Sequence, residues 1–387
     1  MRKVRLGDIC DVLNGYAFKS SNYVLDGIRI IRITNVQKGY IADDDPKYYP
    51  IEAQDTLKKY MLNQDDLLIS LTGNVGRVGL LPKLLLPAAL NQRVACLRLK
   101  NSGVEIDRKY LFHALNSDIF ENACIYSSNG IAQKNLSTEW LKDYYIPLYS
   151  VEKQKIIVEK LDLIIRLINL RTLQLQKLDE LVKSRFIEMF GNPIRNEKGW
   201  EKFSIGKRCK IITGNTPSRK NNANYGNYIE WIKSDNINTP YTYLTKAQES
   251  LSETGFDKCR FVEAGSLLMT CIAGSISCIG NVAITDRRVA FNQQINAIVP
   301  GKDDNVFFLY WLILLSKSAI HNMINMSLKG ILSKSKLCEM EFIFPPIELQ
   351  NEFADFVKST DKLKIAIQKS LDELETLKKS LMQQYFG

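Results

Sequence analysis

Apolar residues fall on a strict four-three ladder between Val151 and Gly191. Ile157, Leu161, Ile164, Ile168, Leu175, Leu178, Val182 and Met189 keep the spacing, interrupted only by Arg171 and Arg185. A 3.5-residue period lines one face of a helix and favours packing against a second long helix. No Gly or Pro breaks the run, so the pattern predicts one helix of roughly 39 residues, about 58 Å at 1.5 Å per residue. Phe190-Gly191-Asn192-Pro193 ends it as a glycine cap followed by proline does. A rod of that length is more than a core needs, and it reads as a spacer. A matching ladder closes the chain, with Phe353, Val357, Ile367, Leu371, Leu374 and Leu381 as the pairing positions.

The remaining pattern is that of short strands and loops. Gly27–Val36 and Asp66–Gly73 show β-branched, strand-like alternation. Lys109–Tyr126 reads as a helix with Leu111, Ala114, Leu115 and Phe120 on its apolar side. A polar loop from Ser127 to Ser137 and a short extended piece lead to the long helix. After a polar link the chain starts again. Val4–Gly15 is echoed by Phe203–Gly214, Arg32–Val36 by Lys233–Ile237, and the Gly73 and Gly79 turn by Gly274 and Gly280. Leu90–Ala95 matches Phe291–Ala297, and Gly130–Leu136 matches Gly330–Leu337. The segments 151–154 and 189–191 reappear at 347–350 and 385–387 with a constant offset of 196, found by subtracting the paired numbers. The expected division is a domain at 1–145, a helix at 146–191, a linker at 192–200, a domain at 201–342 and a helix at 343–387. The fold class is α+β, two mixed α/β domains separated by long helices in an internal repeat.

Charge adds a partner class. A formal net charge of +10 over 387 residues points to an anionic partner, nucleic acid ahead of a membrane surface. Eight cysteines without a C-x-x-C pair, and two distant histidines, exclude zinc-ligand spacing. They read as small buried apolar residues in a reducing cytosol. The first residues lack a signal-peptide core, and the apolar run from Leu80 is too short to span a bilayer. A soluble cytoplasmic protein is expected.

Catalytic patterns are not found. Gly73–Gly79 lacks the Lys-Ser/Thr of a phosphate loop and reads as a turn between strands. Asn192-Pro193-Ile194-Arg195 lacks the second proline and aromatic of an amino-methyltransferase motif. Asp43, Asp44, Asp45 and Lys47 come nearest to a nuclease cluster, but have no counterpart in the second half and read as a solvated loop. Binding chemistry is better represented, in loop side chains of the types that contact base edges and phosphates. In the first half these are Lys19, Asn22, Tyr23, Arg32, Thr34, Asn35, Asn74, Arg77, Gln92, Arg93, Gln133 and Lys134. In the second they are Thr216, Arg219, Lys220, Lys233, Asn236, Gln293, Gln294, Lys329 and Lys334. Any one of them taken alone reads first as a solvated loop residue, and Asn91-Gln92 and Asn292-Gln293 equally suit turns that satisfy buried backbone. The set, repeated in two copies, carries the reading.

The chain resembles the specificity subunit of type I restriction–modification systems over essentially its whole length. The resemblance rests on VEKQ and PPIELQ at the helix starts, MFGNPIRNEKGW between the halves, ITGNTPS at Ile212–Ser218, and GIAQKNLS before the first helix. It implies an antiparallel coiled coil of the two helices, and a recognition domain for each half of a bipartite, asymmetric double-stranded DNA site. It also implies a subunit without catalysis of its own. Two methyltransferase (modification) subunits using S-adenosylmethionine, and restriction subunits using ATP and Mg, are the expected partners, with no membrane. A second apolar row, Leu163, Leu167, Leu170 and Leu181, reads as a docking face for a methyltransferase subunit or a recognition domain. The alternatives are a recognition adaptor of another restriction–modification class and a coiled-coil scaffold that does not bind DNA.

Overall fold

The computed structural model describes residues 2–128, 135–326 and 330–387. Two compact units make up the chain, Met1–Thr172 with Lys369–Gly387, and Leu173–Gln368.

In the first unit the elements are β1 (Arg2–Arg5), β2 (Cys10–Asn14), β3 (Ile28–Ile31), β4 (Leu67–Ser70), β5 (Val78–Leu80), β6 (Ala88–Leu90), β7 (Val94–Leu99), α1 (Arg108–Leu115), α2 (Asp118–Ser127), β8 (Tyr145–Leu148) and the start of α3 (Val151–Phe190). A four-stranded antiparallel sheet runs β2-β7-β4-β5. Its central strands are buried on both faces, which is why LLIS and VACL read as continuous apolar runs. Leu67 and Ile69 face a core shared with α1 and α2, whereas Leu68 packs with Ile31 and Leu90 on the other side. There β3 pairs parallel with β6. β1 pairs antiparallel with β8, closing the unit at the foot of α3.

Two sequence expectations need correction here. The strand expected over 27–36 stops at Ile31 because Asn35 captures the following main chain in a turn. The helix expected over 109–126 is two helices. Ser117 caps the second, accepting from the Phe120 N–H at 3.2 Å and donating to the Ala114 carbonyl at 2.7 Å.

The second unit repeats this order with the end of α3, then β9 (Lys202–Ser204), β10 (Lys210–Thr213), β11 (Tyr225–Ile232), β12 (Leu267–Thr270), β13 (Val282–Ile284), β14 (Val289–Phe291), β15 (Ile295–Val299), α4 (Val306–Leu315), β16 (Glu341–Ile343) and the start of α5 (Ile347–Phe386). The sheet order β10-β15-β12-β13, the parallel pair β11/β14 and the closing pair β9/β16 are those of the first unit. The strand register shifts two of the repeat equivalences. Leu67 opposes Leu80 as Leu267 opposes Ile284, so Gly280 matches Gly76 rather than Gly79. Both take positive φ, 79° and 85°, in the turn before the strand. Leu136 and Leu332 donate to the Leu71 and Cys271 carbonyls respectively, so Leu136 matches Leu332, not Leu337.

Within each unit the two long helices run antiparallel and share the unit's core. In the first, Ile157 and Leu161 pack in one cluster with Met382, Tyr385 and Phe386, and the Tyr149 hydroxyl donates to the Tyr385 carbonyl at 3.2 Å. In the second, Phe353 meets Phe186 and Phe190 edge-on at 5.3 and 5.7 Å between centroids. Along the ladders Ile157, Leu161, Ile164, Val182, Phe353, Val357 and Leu371 are buried; Ile168, Leu175, Leu178, Ile367, Leu374 and Leu381 are half-buried. Lys364 also lies on the seam, reaching Asp179 at 2.6 Å and Asp361 at 3.6 Å.

All eight cysteines are free, and burial pushes the Cys10 and Cys271 thiols up to about 12. Among the described residues no helix is long and apolar enough to cross a membrane.

Removing the Phe353 ring, which is fully buried, should cost about 3–5 kcal/mol in denaturant unfolding. A second prediction concerns acid. Buried His113 contacts Asp162 at 2.8 Å, yet burial outweighs that carboxylate and holds its imidazole below the ordinary histidine range. The unfolded imidazole therefore protonates first. The contribution is whole above the unfolded value and is lost as pH falls through it. The variant His113→Gln should flatten the decline in unfolding free energy between about pH 7 and 5.

Candidate nucleic-acid interface

Each unit ends its parallel strand pair in the same arrangement of turns. After Ile31 the Arg32 N–H donates to Asn35 Oδ1 at 2.9 Å; after Ile232 the Lys233 N–H donates to Asn236 Oδ1 at 3.1 Å. The Asn35 amide donates to the Ala42 and Asp44 carbonyls, and the Asn236 amide to Thr245 Oγ1 and the Lys246 carbonyl. Asn35 is fully buried and Asn236 nearly so. These two residues were read as DNA contacts, and the structure corrects that reading. Their amides are consumed by main chain that a tight turn would leave unsatisfied. The apolar residue after each, Val36 and Ile237, is buried too and was the available signal.

Beside this turn stands the Asn-Gln turn. The Asn91 N–H donates to the Ile31 carbonyl at 3.2 Å and the Asn292 N–H to the Ile232 carbonyl at 3.1 Å. Asn91 Oδ1 accepts from the Arg93 N–H, and Asn292 Oδ1 from the Gln294 N–H. A Cβ on Gly15 would lie 2.2 Å from the Asn91 carbonyl oxygen, and one on Gly214 2.2 Å from that of Asn292. Only glycine fits. Gln92, Arg93 and Gln293 are thereby left exposed, with Gln294 half-buried. Thr216 hydrogen-bonds Gln293. Arg77 donates to Gln37 Oε1 at 2.7 Å, and the Gln37 amide to the Thr34 carbonyl at 2.8 Å, which brings Thr34 and Arg77 to the same turns. Asn74 is exposed on the neighbouring turn, its carbonyl held by Ser70 at 2.6 Å.

Other candidates lie elsewhere. Asn22 donates to the Tyr49 hydroxyl at 2.9 Å and Tyr23 stacks edge-on with Tyr49, opposite the beginning of β3. Lys19 precedes that group, its carbonyl accepting from the Asn22 N–H at 3.0 Å. Lys220 is exposed in the loop that follows Arg219, and Lys334 is exposed at the start of the helix Lys334–Glu339. Gln133, Lys134 and Lys329 lie outside the described residues.

The cations that follow the parallel strands are ion-paired. Arg32 donates to the Asp45 carbonyl at 2.6 Å and its carboxylate at 3.0 Å, with Lys47 on the same carboxylate at 2.7 Å. Neighbouring Arg29, buried and stacked on Tyr48, meets Asp43 at 2.8 Å. In the second unit Glu249 holds Lys233, and Arg219 at 2.9 Å. Arg219 stacks on Tyr225 and Trp231, at 5.3 and 5.4 Å from the ring centres. A cavity of 400 Å³ opens there, lined by Arg219, Asn222, Tyr225 and Glu249 among others. Hydrogen bonds from Lys47 first and Arg32 second hold the Asp45 carboxyl below the usual carboxylate range. For Glu249 the bond from Lys233 leads, and with Arg219 it outweighs partial burial. The Asp45 loop, expected to lack a counterpart, has one in the segment that carries Glu249: each leads into the edge strand on β3 or β11, with Glu249 two positions further along the shared register than Asp45. Among the described residues no group of three or more His, Cys, Asp or Glu is arranged to hold a metal ion.

One frame built twice, each copy ending in an exposed polar platform of different composition, defines a duplicated recognition scaffold. Residues 1–180 and 197–378 each match the type I restriction modification DNA specificity domain, and the chain belongs to that family. It is 33% identical over 170 residues to the EcoAI specificity subunit of Escherichia coli, covering 43% of this chain and 28% of that protein. The chain spans about a third of the length of the relatives it matches over such a single stretch. A match at 23% identity covers 97% of this chain and 90% of the putative MjaX specificity subunit of Methanocaldococcus jannaschii. The fold is that of the type I restriction–modification S subunit from M. genitalium, at a TM-score of 0.60 and 15% identity over 100% of this chain and 96% of the other.

Two substitutions separate frame from platform. The variant Asn35→Ala should lower stability by about 1–3 kcal/mol, from the buried groups it leaves unpaired. Gln92→Ala should leave unfolding within about 0.5 kcal/mol of the unaltered chain. Thermal and denaturant unfolding of the two variants measure the difference.

Proposed function

We propose that this chain reads a bipartite, asymmetric duplex DNA site for a type I restriction–modification complex, one half-site per domain, and catalyses nothing itself. The observation that carries the reading is the duplicated platform. Gly15/Asn91 and Gly214/Asn292 keep one main-chain geometry, while the side chains displayed on it differ, Arg93 against Gln294 and Arg32 against Lys233. Shared support with divergent display is what two half-sites of different sequence require. Exposed Gln, Arg and Lys side chains are suited to base edges and phosphates. The net charge of +10 favours association with a polyanion.

In this reading the long helices set the unread gap between the half-sites, about one DNA turn or 34 Å for modules in successive major grooves. The gapless 196-residue offset between them supports that role. Leu163, Leu170 and Leu181 are exposed on α3 at 57%, 47% and 48%, with Leu167 half-buried, and form the docking face for methyltransferase subunits. Those subunits would bring S-adenosylmethionine, and restriction subunits ATP and Mg.

Mapping N6-methyladenine across the genome with and without this chain tests the function. A bipartite motif should vanish on deletion; an unchanged methylation map would refute the reading. Exchanging either globular domain should change one half of the motif alone. Lengthening both helices by about one turn, roughly four residues, should change the gap and leave the bases intact. Replacing Leu163 and Leu167 with Glu should prevent co-purification of methyltransferase subunits while the subunit stays folded by circular dichroism.

A further inference from the structure

Each platform sets a carboxylate against the cation that follows its parallel strand. Arg32 and Lys233 occupy matching positions, each directly after the parallel strand and beside the Asn-Gln turn. Both carboxylates lie in the segment that leads into the antiparallel edge strand, Asp45 before Tyr48–Tyr49 on β3 and Glu249 before Ser250–Leu251 on β11. Glu249 stands where Lys47 does, each carbonyl accepting from the parallel strand (Ile30 and Trp231 N–H), so the carboxylates sit two residues apart in one register, yet each lands on the equivalent cation. Asp45 does so with φ at 47°, a conformation uncommon outside glycine, asparagine and aspartate.

We infer that Asp45 and Glu249 are discriminating residues that suppress binding to the DNA backbone and reserve the platform cations for base edges. This rests on the DNA-reading function proposed above. The reason is charge. A cation paired with a carboxylate is close to neutral, so a phosphate gains little by approaching it. To bind phosphate fully, Arg32 or Lys233 must leave its partner and set two anions side by side. A base edge makes no such demand. Adenine offers an acceptor beside a donor in the major groove, and a G·C pair offers acceptors beside the cytosine amino group. An intact Arg–Asp or Lys–Glu pair presents the complementary donor and acceptor together. Lys47, which shares Asp45, and Arg219, which shares Glu249, are held by the same two carboxylates.

The experiment measures binding of the full chain, alone and with co-expressed methyltransferase subunits, to a poly(dI-dC) duplex across a salt series. The variants are D45N and E249Q, which keep shape and remove charge. Asparagine accepts the positive φ at position 45 as readily as aspartate. Glu139→Gln, on an exposed pair with Lys142, controls for one lost negative charge. Releasing one phosphate-binding cation should steepen the salt dependence by about one and raise affinity about tenfold at 50 mM salt. D45N combined with Arg32→Gln should return to the unaltered value. Unchanged affinity in both variants, or an equal rise in E139Q, overturns the inference alone, because the unaltered protein would still bind DNA. Failure of every form to bind at 50 mM salt overturns this inference and the DNA-reading function together.

Discussion

At Gly15 and Gly214 the main chain passes so close to an asparagine carbonyl that a single methyl group would not fit. Much of each domain depends on that approach. It brings the end of the first sheet strand against the Asn-Gln turn, which is itself tied to the last residue of the parallel strand. Three segments distant in sequence are locked at one spot, and their polar side chains can point only away from the core. The frame leaves no room for variation at the glycine and little at the asparagine. It leaves the exposed positions around them unconstrained, and those are where the two halves differ.

The same physics decides what could be read from sequence. A 3.5-residue ladder sustained over α3 and α5 has no competing interpretation, so both helices were legible: the expected segments 146–191 and 343–387 contain Val151–Phe190 and Ile347–Phe386. Short elements were not. Thr34 and Val36 continue a strand-like alternation past Ile31, and nothing local reveals that Asn35 takes the backbone out of the sheet. Asn116 and Ser117 sit inside an apolar pattern of helical period, and only the capping hydroxyl of Ser117 divides it. At the platforms the Gly and Asn-Gln repeats were visible, but not which amides face inward. Asn35 and Gln92 are both polar loop residues; burial alone separates a support from a display residue. The pairing of Arg32 with Asp45 and of Lys233 with Glu249 left no sequence repeat to find, since the carboxylates sit two positions apart in the shared register, Glu249 standing where Lys47 does.

Charge on the helical seam distinguishes the two halves of an otherwise matched repeat. Lys364 and Asp179 pair in the second unit. The same offset of 196 places Ile168 and Glu375 at the corresponding positions of the first. Lys378, in turn, corresponds to Val182. Burial raises the Asp361 carboxyl above the usual carboxylate range, so the ionic residues there are held at some cost in solvation. A helix segment matched with its own duplicate would lose the Lys364–Asp179 contact. A buried or half-buried charge on an apolar seam is a known means of fixing partner and register.

The strand pair β9/β16 has a mechanical consequence. The chain arrives in the second globular region at Lys202 and leaves it after Ile343, and those two residues are directly opposite in the pair. The region is therefore attached through two parallel cables joined by hydrogen bonds, not through one. A body hung from a single strand can swivel about its tether, whereas one hung from a two-stranded ribbon resists twisting. In the first unit β1 pairs with β8 in the same way, with Arg2 opposite Leu148. A two-stranded ribbon thus stands at the foot of both halves, built from four-residue strands in the first and three-residue strands in the second.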